Sequence, residues 1–143
     1  MSNITETTHA LIKAGIKPSA QRIAVMQYLM ATKSHPTVAE IYDALLPEHP
    51  TLSRTTIYNT LKLFVESGCA LSLGIDSANA RYDATTSPHA HFFCRWCHAV
   101  TDIAMPLPRL DTEGYDCDDV ALFYTGVCPA CRQKKTIINS QPK

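Results

Sequence analysis

Cys94-Arg95-Trp96-Cys97 and, after 30 intervening residues, Cys128-Pro129-Ala130-Cys131 repeat one four-residue pattern, and together they supply a complete tetrahedral ligand set. A Cys-x-x-Cys turn offers two sulfurs to one ion with little strain, and structural zinc takes four thiolates at about 2.3 Å. Such a closed shell leaves no position for water or substrate, so the expected Zn2+ staples the fold and does no chemistry. A disulfide framework is the alternative in secreted domains. Met1–Pro18 has no apolar h-region and carries Glu6, His9 and Lys13, so the expected location is the cytoplasm. A thioredoxin-like redox motif needs a single pair beside a strand-helix-strand pattern. Cys69 and Cys117 lie outside the pairs and read as small buried apolar side chains.

Upstream of the cysteines the chain is helical. The spacing predicts a short helix over 4–14 stopped by Gly15, then a second after Pro18 with Ser19 as its N-cap and Ile23, Met26, Leu29 and Met30 turned inward. A third, of about ten residues, opens at Thr37, where Glu40 completes a capping box, and buries Val38, Ile41, Tyr42 and Leu45 before Pro47. The fourth opens at Ser53 and ends at Gly68. Its register turns Ile57, Leu61 and Phe64 inward and leaves Arg54, Thr55, Tyr58, Asn59 and Lys62 facing out. Leu71, Leu73 and Ile75, a turn at Asp76-Ser77-Ala78-Asn79 and then residues 80–83 read as a two-stranded hairpin. Helices followed by a hairpin make a winged helix, whose later helix enters the major groove of DNA in helix-turn-helix proteins. An exposed polar face can equally be a solvated one.

The second half has a different texture. Residues 91–94, 99–105 and 120–127 cluster apolar and β-branched side chains and read as strands around the zinc knuckles, while 106–114, with two prolines, has room for only a short helix. The fold class is therefore α+β: an N-terminal winged-helix DNA-binding domain over 1–84, and a small C-terminal α/β dimerisation domain over 85–143 with a four-cysteine zinc site. An exposed sheet edge could pair with a second copy, and Leu107, Leu110 and Tyr115 suit either a core or that surface. Hydrophobic residues make up 45% of the 143, enough for a packed core, and no apolar run reaches membrane-spanning length. Net charge is zero, with seven basic and seven acidic residues up to Ala84 and six of each beyond it. Overall charge therefore does not favour nucleic acid, and DNA binding must rest on one helix and on assembly.

His89 and His91 are two apart at the start of a strand, Asp83 ends the wing, Asp102 lies on the next strand and His35 precedes the third helix. Imidazoles with carboxylates suit a borderline divalent ion such as Fe2+, Mn2+ or Zn2+, although a His-x-His pair alone is often plain surface. His98 reads as a surface residue or an extra ligand, and Glu113, Asp118 and Asp119 as a solvated acidic face or a weak second site.

Pro18-Ser19-Ala20-Gln21-Arg22, His35-Pro36-Thr37 before Ile41-Tyr42, Ser53-Arg54-Thr55-Thr56-Ile57-Tyr58, and residues 89–97 with Cys128-Pro129-Ala130-Cys131 resemble the ferric uptake regulator (Fur) family over nearly the whole chain. Within it the chain is most similar to the peroxide-sensing PerR branch, in which three His and two Asp hold the regulatory ion; here those positions are His35, Asp83, His89, His91 and Asp102. Iron sensors of the family have a fuller His-His-Asp-His run, a Glu at the last of these positions and a later His, whereas here the last position is Asp102 and no His follows His98.

The resemblance implies a homodimeric, metal-dependent transcriptional repressor rather than an enzyme, with Cys94, Cys97, Cys128 and Cys131 on structural Zn2+ and Fe2+ or Mn2+ in the regulatory site. It implies DNA contacts from Gln21, Arg22, Arg54, Thr55, Tyr58, Asn59 and Lys62 on an inverted-repeat operator. It also implies peroxide sensing through Fe2+-catalysed oxidation of a ligating histidine, His35 or His89 foremost. The zinc thiolates should be poorly accessible and stay structural. An iron- or zinc-responsive uptake repressor of the same fold is the alternative. Three departures stand out: Ala20 where the family has Pro, His98 where it has Gly, and a shortened segment between Asp102 and Cys128 that should truncate the dimer helix.

Overall fold

The structure is a computed structural model that describes residues 3–32, 34–74, 79–87, 89–108, 110, 114–117 and 120–138, the last four without their side chains. The chain divides into two compact units, Met1–Thr86 and Ser87–Lys143.

The first unit begins with helices α1 (Ile4–Lys13), α2 (Ala20–Ala31), α3 (Val38–Leu45) and α4 (Arg54–Glu66). Each starts where a side chain satisfies an orphan amide: Asn3 accepts from Glu6, Ser19 from Arg22, Thr37 from Glu40 and Ser53 from Thr56. At α3 the Glu40 carboxylate also accepts from the Thr37 amide at 2.9 Å, completing the capping box. Gly15 and Gly68 follow α1 and α4 at φ +80°, a left-handed turn that only glycine makes without strain. The core gathers Leu11, Val25, Met26, Leu29, Ile41, Ile57, Leu61 and Phe64. Of the positions expected to face inward, Met30 is exposed and Ile23, Val38, Tyr42 and Leu45 are only partly buried against this core. α3, at eight residues, is shorter than the ten read from sequence, because Thr37 and Leu46 flank it as its N-cap and C-cap. After α4, β1 (Leu71–Leu73) and β2 (Arg81–Asp83) pair antiparallel with Leu71 opposite Asp83. Ile75 and most of the turn at 76–79 lie outside the described residues.

In the second unit β3 (Ala90–Cys94) is central in a sheet ordered β4-β3-β5, antiparallel to β4 (Val100–Ile103) and parallel to β5 (Phe123–Gly126). β4 and β5 are both shorter than the apolar clustering implies. The described residues of 106–114 are non-helical, in keeping with two prolines there; Arg109 and 111–113 lie outside the described residues. Glu113, Asp118 and Asp119 also lie outside them. Helix α5 (Pro129–Ile138) is absent from the sequence reading, and the signal for it is Pro129 at a first helical position before Gln133-Lys134-Lys135.

Candidate metal centres and nucleic-acid interface

The parallel pairing of β3 and β5 explains how cysteines so far apart in sequence meet. Cys94 stands opposite Gly126, so both strands run out at the same end of the sheet, and the Arg95 amide bonds the Gly126 carbonyl at 2.8 Å. Each strand then turns into its knuckle. Cys94 Sγ accepts from the amides of Cys97 and Cys128, both at 3.4 Å. Cys97 Sγ lies 3.8 Å from Cys128 Sγ, and the four sulfurs all fall within 4.8 Å of one another. A tetrahedron with metal–sulfur bonds of about 2.3 Å has edges of about 3.8 Å, so this cluster fits structural zinc.

Its electrostatics point the same way. Burial opposes ionisation of Cys94, but the amides of Cys97, Cys128 and Trp96 outweigh it and bring that thiol down to about 6. Burial, then the sulfurs of Cys128, Cys97 and Cys94, push Cys131 up to about 12. Sulfurs this close do not all ionise together unless a dication offsets the charge.

Two sequence expectations about cysteines need correction. Cys94 and Cys131 are buried, but Cys97 is exposed and Cys128 half-buried, because the knuckle turns outward after Cys94. Cys117 is exposed, not buried, since the irregular segment it sits in packs no core. Cys69 is half-buried; burial raises its pKa, and its sulfur donates to the Phe64 carbonyl at 3.5 Å.

The candidate nitrogen and oxygen ligands form a pair in one unit and a trio in the other. In the first unit, His35 Nε2 lies 3.4 Å from Asp83 Oδ2, with both side chains buried. The Asp83 carboxylate also accepts from the Thr85 amide at 2.8 Å, and the Pro36 carbonyl accepts from the Tyr82 amide at 3.1 Å, tying the loop before α3 to β2. In the second unit His91 stands opposite Asp102 across β3 and β4. Asp102 Oδ1 lies 3.2 Å from His89 Nε2 and 3.4 Å from His91 Nε2. The imidazole rings sit 4.3 Å apart, and the Ser87 carbonyl is 2.7 Å from His89 Nδ1, which leaves Nε2 turned to the carboxylate. Each group has the donor chemistry of a Mn2+ or Fe2+ half-site.

Arg54, Thr55, Tyr58, Asn59 and Lys62 are all exposed on α4, while Gln21 and Arg22 are half-buried at the start of α2. Lys17, Ser19, Gln21, Arg22, Thr56 and Asn59 help line an open groove of about 500 Å³ between these helices. The Arg22 guanidinium donates to the Lys17 carbonyl at 2.8 Å. Arg54 lies over the Tyr42 ring at 5.1 Å, a cation–π contact that sequence reading missed because it joins two helices. His98 takes φ 63° and stacks on Phe93 with centroids 5.8 Å apart, so it occupies the left-handed position where a glycine is the easier residue.

A four-helix unit ending in a β-wing, followed along the chain by a sheet closed by a four-cysteine cluster, defines a winged-helix protein with a zinc-stapled β-domain. The chain belongs to the ferric uptake regulator family, whose model matches residues 13–115. It is 34% identical to the peroxide-responsive repressor PerR of Staphylococcus epidermidis, over 92% of this chain and 91% of that protein. Among solved structures it resembles the Helicobacter pylori ferric uptake regulator Fur at TM-score 0.68 and 19% identity, covering 92% of this chain and 95% of that one. It also resembles PerR of Streptococcus pyogenes at TM-score 0.52 and 24% identity, covering 92% and 94%. No helix among the described residues is long and apolar enough to cross a membrane.

Proposed function

We propose that this protein is a homodimeric, metal-dependent DNA-binding repressor that senses peroxide. Residues 1–84 read DNA, and residues 85–143 form the dimerisation and metal-binding domain. It works in the cytoplasm, as a regulator and not an enzyme. The similarity to PerR repressors over 92% of the chain carries the reading.

The regulatory ion would be held by His35 and Asp83 of the first domain together with His89, His91 and Asp102 of the second. Bound Fe2+ supplies the one-electron reduction of peroxide that leads to oxidation of a ligating histidine, whereas Mn2+ supplies only the tie. The chain's own residues do the rest. The Asp83 and Asp102 carboxylates offset the charge of the ion, and the Thr85 amide and Ser87 carbonyl orient Asp83 and His89. Ligands drawn from two domains fix one arrangement of those domains, and a shift from mostly open to mostly closed needs about 5.5 kcal/mol of differential affinity.

In that arrangement two copies of α4 enter successive major grooves of an inverted repeat, with Arg54, Thr55, Tyr58, Asn59 and Lys62 facing the DNA and Gln21 and Arg22 beside the backbone. The test is operator binding with and without Mn2+ for the parent and for His89→Ala. Metal should tighten binding only in the parent; equal tight binding by both proteins without metal would refute the reading.

A further inference from the structure

His35 has an unusual backbone conformation, and a side chain distant in sequence bonds its carbonyl. Its φ of 55° lies in the left-handed region that non-glycine residues seldom occupy without outside support. Arg81 Nη1 donates to the His35 carbonyl at 3.1 Å, across 46 residues of sequence. The same guanidinium lies 3.9 Å from Glu40 Oε1, the carboxylate that closes the α3 capping box on the Thr37 amide. Arg81 itself is fixed by its place in β2, where it pairs with Leu73 two positions before Asp83.

We propose that Arg81 is a positioning residue for the regulatory ligand His35, an inference that rests on the metal-binding role given above to His35 and Asp83. β2 then supplies one ligand, Asp83, and the clamp for the other. A planar guanidinium suits the task because it can face a carbonyl and a carboxylate at once, which an ammonium does less well. Without the clamp, the His35 backbone relaxes toward negative φ and the imidazole leaves the Asp83 carboxylate. Metal affinity falls while the helical core, which Arg81 does not enter, stays intact.

The experiment titrates Mn2+ into the full-length, zinc-loaded protein by calorimetry for the parent, Arg81→Gln, Arg81→Lys and His35→Ala. Zinc content and thermal midpoint are measured alongside. Arg81→Gln should weaken Mn2+ binding about 10-fold or more, the usual effect of losing a group that orients a ligand, with Arg81→Lys recovering part of it. Zinc content and thermal midpoint should stay at the parent's, and saturating Mn2+ should restore operator binding by Arg81→Gln. Mn2+ affinity within about two-fold of the parent for Arg81→Gln, where His35→Ala abolishes binding, would overturn the proposal. So would loss of fold in both Arg81 variants, which would make Arg81 a structural residue. Unchanged affinity in His35→Ala would instead remove His35 as a ligand.

Discussion

A thiol behaves as its surroundings dictate, and the cysteines divide accordingly. Cys94 and Cys131 are buried inside the cluster, and zinc affinity is part of the folding free energy of such a site. Cys94→Ser or Cys131→Ser should therefore lose zinc and dimer together, read by metal analysis and size-exclusion chromatography; a stable zinc-free dimer would count against the staple. Cys69 is a different case. Burial holds its pKa above the usual thiol value, so at neutral pH it is protonated and should alkylate slowly with iodoacetamide, the rate climbing as pH approaches that raised value. Trapping by mass spectrometry at pH 7 should label Cys117, which is exposed, well before Cys69. At this scale the ligands are legible in sequence because Cys-x-x-Cys spacing is local. Cys97 exposure is not, because it depends on the direction in which the knuckle leaves the sheet.

α4 shows how an element can be divided by face. Ile57, Leu61 and Phe64 are fully buried, and truncation of Phe64 to Ala should cost about 3–5 kcal/mol in chemical denaturation. On the outer face, Arg54→Ala or Tyr58→Ala should weaken operator binding while Mn2+ uptake is unchanged, measured by fluorescence anisotropy and calorimetry on the same samples. At the helix end, an added Cβ on Gly68 meets nothing within 4 Å, so Gly68→Ala tests the backbone alone at φ +80° and should cost about 1–2 kcal/mol. The four helices of the first unit can be placed from capping residues and period, since both signals are local. The parallel partner of β3, the cation–π contact of Arg54 with Tyr42, and Arg81 on His35 cannot, because each joins residues whose adjacency only tertiary packing creates. α5 escapes for another reason: Pro129 inside the second knuckle reads first as part of a turn.

For the whole molecule, two metals have two separate jobs. On the proposed reading the sulfur site holds the β-domain together, and the ion held by the candidate nitrogen and oxygen ligands sets whether the repressor binds DNA. Mild chelation should therefore lower operator affinity, reversibly with added Mn2+, while zinc and dimer are retained, which parallel metal analysis and gel filtration would check. On the same reading peroxide acts at the second site alone. The most direct measurement is peptide mass spectrometry of the protein loaded with Fe2+, and in parallel with Mn2+, after mild hydrogen peroxide, with operator affinity read on the same samples. One added oxygen on His35 or His89 and loss of operator binding are expected in the Fe2+ sample only; Fe2+-loaded protein that releases its operator with every histidine unmodified, or that keeps both, would contradict peroxide sensing at this site.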